Sequence, residues 1–218
     1  MANIDSPFGL RPVRYRSGAP YNGAANPYFI KSDYATALYI GDPVVITGTS
    51  NTARVTYPGL GSAEIGTLRE INKVTAGDSN SDAERQTGVI VGFYPSPAAG
   101  LDKQYNPAST ERVALVADDP NLVFEIQADG AIPAASMGLN AIFIYTHAGS
   151  TATGLSGAEL DTTGTVPAAD ASYQMRIVGA VNRLDNDTTL AHAKVLVVLN
   201  NHTEGQGMVD NAYGTLGI

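Results

Sequence analysis

The chain is 218 residues long with a formal net charge of -8, 44% hydrophobic residues, 23 Gly, 12 Pro, no Cys and no Trp. That length allows one large domain or two small ones of ~100–200 residues, and the apolar fraction excludes collagen-like, mucin-like and wholly disordered chains. The lack of cysteine removes disulfides, thiolate metal sites and Cys nucleophiles; a pI of about 4.7 opposes whole-surface nucleic-acid binding, and no apolar run approaches the ~20 residues of a membrane-spanning helix.

Residues 1–27 read as an extended arm, because Pro7, Pro12, Pro20 and Pro27 forbid a continuous helix and bias the residues before them toward extended backbone. Arg11, Arg14 and Arg16 gather basic charge there with only Asp5 opposing, which is either ordinary surface charge or a basic arm laid on an acidic partner. The opening residues lack the basic and apolar regions of a secretory signal, so the expected compartment is the cytoplasm in which the chain is made.

Strand signals follow. Tyr28-Phe29-Ile30, Pro43–Thr47 after a Gly41-Asp42-Pro43 turn, Gly88–Tyr94 and Arg112–Ala117 are short runs rich in β-branched or aromatic residues. Leu122–Gln127 alternates, with Leu122, Phe124 and Ile126 opposite Val123, Glu125 and Gln127, and predicts a half-buried strand; Gln174–Ile177 alternates likewise. Ala141–Tyr145 and Lys194–Leu199 are continuous apolar runs and predict central strands covered on both faces. Short helices are expected only at Ser32–Leu38 and Ile132–Met137. The Thr-, Ser- and Gly-rich segment 149–171 reads as an exposed insertion, and residues 201–218 as a Gly-rich tail. The expected fold is mainly β: a β-barrel or β-sandwich core over residues 28–200, with long loops, the N-terminal arm and the C-terminal tail.

No coherent active site is visible, so the chain is not expected to be an enzyme or to hold a cofactor. His192 and His202 bracket the last strand, too far apart to share a metal, and His147 joins either only by tertiary contact, so no metal site is expected. Asp118-Asp119-Pro120 and Asp185-Asn186-Asp187 read as turn chemistry, the latter closing a hairpin between 177–181 and 193–199; Asp78, Asn80 and Asp82 read the same way. Glycine-rich phosphate loops and a Gly-x-Ser-x-Gly nucleophile elbow are missing. An aromatic sugar-binding groove among 11 Tyr and 5 Phe stays open, without Trp as its best platform.

Ser6-Pro7-Phe8-Gly9-Leu10-Arg11-Pro12-Val13 resembles the opening of the head decoration, or capsid cement, proteins of tailed bacteriophages. Similar matches are Asn26-Pro27-Tyr28, Ile40-Gly41-Asp42-Pro43-Val44, residues 89–95, Asp118-Asp119-Pro120, Phe124-Glu125-Ile126-Gln127 and Val197-Val198-Leu199-Asn200-Asn201-His202. The resemblance implies a β-rich virion protein on the outer surface of the head. It would bind the major capsid protein, tighten contacts between its subunits, and self-associate as a homotrimer or, alternatively, a dimer. A charged fraction of 16%, against ~25% in ordinary domains, fits a chain that hides surface in neighbours. Within this reading the arm is the expected gripping segment, with Ile4, Phe8, Leu10, Val13 and Tyr15 as apolar anchors and Arg11, Arg14 and Arg16 as charged ones. Val209, Tyr213, Leu216 and Ile218 of the tail are expected to lie over a neighbouring copy. The rival readings are a head fibre or adhesin that binds host glycans, a shell subunit, for which the chain is short and lacks a long helix, and an acid-pair hydrolase.

Overall fold

The computed structural model describes residues 3–77 and 85–204. Its strands in chain order are β1 (Arg11–Tyr15), β2 (Asn26–Ile30), β3 (Pro43–Ser50), β4 (Val55–Tyr57), β5 (Gly61–Ala63), β6 (Arg69–Lys73), β7 (Gly88–Phe93), β8 (Arg112–Ala117), β9 (Leu122–Gln127), β10 (Asn140–Ala141), β11 (Phe143–Tyr145), β12 (Ala158–Leu160), β13 (Met175–Ala180) and β14 (Lys194–Leu199). The mainly-β expectation is borne out.

Two five-stranded units pack on a common core, and one of them, a barrel, has an interior of its own. Strands β2-β6-β3-β7-β8 close a barrel, and β1-β9-β14-β13-β10 form an antiparallel sheet. Period-2 alternation explains how both are filled. In β2, Tyr28 and Ile30 point into the barrel with Val44, Ile71, Ile90, Ala114 and Val116, while Phe29 points out and is covered by Val55 and Tyr57 of the β4–β5 hairpin. Val89 and Ala117 of the barrel wall join Phe124, Ile126, Met175, Ile177, Val195 and Val197 from the inner face of the sheet. Each Val, Ile, Phe or Met among them, fully buried, contributes about 1.5–3 kcal/mol relative to exposure.

β14, the apolar run Lys194–Leu199, is the central strand of its sheet. The β13–β14 hairpin closes through Asn186, whose amide donates to the Val181 and Lys194 carbonyls and whose oxygen accepts the Lys194 N–H. Asp119 caps its turn by accepting the Asn121 N–H.

Several expectations are corrected. The run Ala141–Tyr145 is not one central strand: β10 ends the large sheet by pairing β13, Ile142 intervenes, and β11 pairs β12 in a separate ribbon. No helix forms at Ser32–Leu38, because Leu38 exchanges both backbone bonds with Asn106. Within Ile132–Met137 only a 3-10 turn, Ala134–Ser136, appears. β9 is buried on both faces rather than half-buried, because the N-terminal segment lies over its outer side.

Segment 149–171 is an exposed insertion only at its flanks, where residues 151–153 and several of 163–171 are exposed. Residues 156–161 are buried and supply β12. Gly157 permits this: a Cβ there would stand 2.1 Å from the His147 carbonyl oxygen. The arm is extended, but it is part of the fold. β1 is the edge strand of the sheet, where Pro12 is tolerated. Its free edge is covered by the chain's own return, Tyr15 N–H to Ala19 and Tyr21 N–H to Val13.

Candidate interaction surface

The N-terminal segment is fastened at several points along the outer face of the sheet. Asn3 donates to the carbonyls of Asp187 and Ala191 and accepts the Asp187 N–H. The Ser6 N–H donates to Gln127 Oε1 at 3.2 Å. Arg11 Nη2 stands 2.7 Å from Glu125 Oε2, and Arg183 Nη2 stands 2.6 Å from Oε1 of the same carboxylate. Glu125 is only 3% exposed, so two partly exposed guanidiniums hold one buried acid and tie β1 and the 181–193 loop to β9.

Gly9 and Gly41, both with positive φ, cross at backbone contact. A Cβ on Gly9 would lie 2.5 Å from the Gly41 oxygen, one on Gly41 would lie 2.4 Å from the Phe8 oxygen, and Leu10 N–H donates to Gly41 at 2.9 Å. That lock turns Leu10 inward, where it is 2% exposed. Leu10 is therefore a core residue and not an anchor for a partner.

Of the other arm residues, Ile4, Arg11 and Arg16 are exposed, and Phe8, Val13, Arg14 and Tyr15 are half-buried. The Arg11 guanidinium sits 5.0 Å above the Phe8 ring, so each covers the other. Tyr15 packs on the main core beside Tyr21. The tail candidates Val209, Tyr213, Leu216 and Ile218, and the Asp78–Asp82 loop, lie outside the described residues.

Strand register places further cations on this face. Arg14 is opposite Val123, and Arg176 is opposite Val198, on the side of the sheet that carries Glu125. Arg11, Arg14, Arg176 and Arg183 thus share one face of an acidic chain. At its edge stand exposed apolar side chains: Ile4 at 75%, Leu190 at 41%, and Leu184 fully exposed. Asn3's bonds put Ile4 beside the loop that holds Leu184 and Leu190.

No protein-family model, curated protein or solved structure matches the chain.

The segments that carry the family resemblance contact one another. Phe8-Gly9-Leu10 meets Gly41; Asn26 and Tyr28 both donate to the Asp118 carboxylate, at 2.9 and 2.7 Å; Arg11 meets Glu125; and Val197 pairs with Phe124. Tyr28 also accepts from Arg69, and burial together with its bond to Asp118 pushes the phenol up from its ordinary value. Asp118 is therefore a structural acceptor. These motifs hold the fold together.

Two polar clusters escaped sequence reading because their members are far apart in the chain. Asp42 is fully buried: Oδ1 stands 3.0 Å from Lys73 Nζ and accepts Ser156 Oγ–H at 2.6 Å, and Oδ2 accepts the Tyr39 N–H at 2.8 Å. Burial pushes the Asp42 carboxyl up, opposed by the Lys73 charge and these bonds. Lys73 Nζ also lies 4.0 Å from the Tyr145 ring centroid. The second cluster joins Asp5, Glu159 and His192. For a sugar-binding groove the tyrosines are badly placed, since none among the described residues is exposed and Tyr39 and Tyr105 stack on each other at 5.2 Å.

Proposed function

We propose that the chain is a head decoration, or cement, protein of a tailed bacteriophage that binds the outer surface of the assembled head through the outer face of its five-stranded sheet. The observation that carries this reading is the gathering of Arg11, Arg14, Arg176 and Arg183 on one face of an acidic chain, edged by exposed Ile4, Leu184 and Leu190. The forks of Arg14 and Arg176, which are not held by Glu125, suit carboxylates of a neighbouring shell subunit, and the apolar rim adds contact area without requiring a deep pocket. The chain performs no reaction. It binds the mature shell more tightly than the unexpanded or ruptured one, and that difference in affinity stabilises the shell. Many copies acting together resist genome pressure although each interface is modest.

Copies self-associate, as a homotrimer or a dimer, with Val209, Tyr213, Leu216 and Ile218 as candidate contacts. The protein assembles in the bacterial cytoplasm and remains on the virion's exterior. The glycan-adhesin reading is weaker, because none of the described tyrosines is exposed and the centre of the 149–171 segment is buried.

Deleting residues 1–16 is an unsuitable test, since it removes Leu10 and all of β1 from the fold. Charge reversal on the surface is suitable: Arg14→Glu with Arg176→Glu should sharply lower occupancy on isolated heads and flatten its salt dependence, while the chain stays folded with only the small loss of stability due to the Arg176–Asn140 and Arg14–Tyr15 hydrogen bonds. Wild-type occupancy by this double variant overturns the assignment of the face.

A further inference from the structure

We propose that Asp5, Glu159 and His192 form a binding site for one divalent transition-metal ion of the zinc class. One oxygen from each carboxylate and Nδ1 of the imidazole lie within 4.8 Å of one another. Asp5 Oδ1 is 3.6 Å and Glu159 Oε1 is 4.0 Å from His192 Nδ1. A tetrahedral ion with bonds of ~2.0–2.2 Å holds neighbouring donors about 3.4 Å apart. The donors therefore need only a small inward movement, and Asp5, exposed on an extended segment, has the freedom to make it.

Glu159 is what separates this cluster from ordinary surface acids. Its side chain is 3% exposed, and its Oε1 has no hydrogen-bond partner. A carboxylate oxygen stripped of water and given no donor is a costly arrangement, and a cation at the point it faces removes the cost. His192 Nδ1 is likewise buried without a hydrogen-bond partner and faces the same point. The backbone of His192 is left-handed, φ +61, a region few non-glycine residues adopt.

The donor set names the class of ion. An imidazole nitrogen with two carboxylate oxygens suits zinc and its neighbours in the transition series, whereas calcium and magnesium prefer all-oxygen shells. Three protein donors leave a fourth position for water. Gln127 Nε2, 3.4 Å from Asp5 Oδ1, supplies an outer contact that orients the aspartate. Because Asp5 belongs to the N-terminal segment, Glu159 to β12 and His192 to the turn before β14, one ion clips the segment to the body of the protein.

The test uses the full chain, stripped with EDTA and titrated with zinc chloride by calorimetry, with cobalt(II) absorption as a second readout of the ligand set. One ion per chain is expected, with a raised melting temperature in excess zinc. Asp5→Asn and His192→Ala should each weaken zinc binding by roughly 100-fold or more, since even outer-contact losses cost 10–100-fold. His147→Ala should change nothing. Asp5 is exposed, so its variant keeps the fold, and the melting curve of each metal-free variant verifies this. No zinc binding up to ~1 mM, a millimolar affinity being the weak end of specific association, overturns the proposal and leaves a histidine–carboxylate ion pair only. Wild-type affinity in both variants overturns it equally.

Discussion

Replacing Leu10 by Ala tests whether the N-terminal segment is a structural strand or a free arm. Leu10 is 2% exposed and shares a core with Phe124, Ile126 and Val195. Truncating a leucine so placed costs about 2–5 kcal/mol, from lost transfer energy plus the cavity left behind. The Gly9–Gly41 crossing fixes the backbone beside it, so the site has little room to collapse and the upper half of that range is expected. For a chain of this size each kcal/mol lowers the melting temperature by ~2–4 °C, which gives a fall of about 7–20 °C. The matched control is Ile4→Ala: Ile4 is 75% exposed, and its truncation should change stability by less than ~0.5 kcal/mol. Thermal unfolding followed by circular dichroism reads both. A Leu10→Ala chain that melts within ~2 °C of wild type, the shift expected for about 0.5 kcal/mol, refutes the docked strand.

Two further outcomes follow from buried polar groups. Lys73→Met leaves the fully buried Asp42 without its cation and should cost about 3–5 kcal/mol; the double variant with Asp42→Asn should recover part of this, and equal losses in single and double variants contradict the pairing. His202 is buried, and its Nδ1 accepts the Glu204 N–H, so desolvation holds the imidazole below its ordinary 6.5. The unfolded chain then binds the proton more tightly. The stability this gives is complete above pH 6.5 and is lost as pH falls through the lower folded value. His202→Gln should flatten the melting temperature between pH ~6.5 and ~5, the window in which an ordinary histidine gains its proton; a slope equal to wild type refutes this role.

The parts of the fold legible in the sequence are those where one strand carries its own signal. β8, β9 and β14 fall where alternating or continuous apolar runs predict them. β6 was illegible because Arg69-Glu70-Ile71-Asn72-Lys73 has a single apolar residue; Glu70 is nevertheless buried, held by Lys31 at 3.0 Å and Thr49 at 2.7 Å. β12 was hidden for a related reason, since Ala158-Glu159-Leu160 is short and its neighbours are the small residues that usually mark a loop. Glu125 and Gln127 read as solvent-facing by alternation, a pattern blind to a distant segment laid over the strand. The site shows the same division. Arg11, Arg14 and Arg16 stood out as basic, but the engagement of Arg11 with Glu125, and the addition of Arg176 and Arg183 to the same face, come from strand register and tertiary pairing. Asp5, Glu159 and His192 come from three separate regions, and no spacing rule joins them.

The proposal that the chain is a cement protein turns on where the chain sits and which face it presents there. The most direct measurement is a density map of the intact phage particle at side-chain resolution. The account predicts symmetric copies on the exterior of the head, each with the face bearing Arg14, Arg176 and Ile4 against major-capsid subunits. Particles that lack the chain, or copies held by a different face, contradict it.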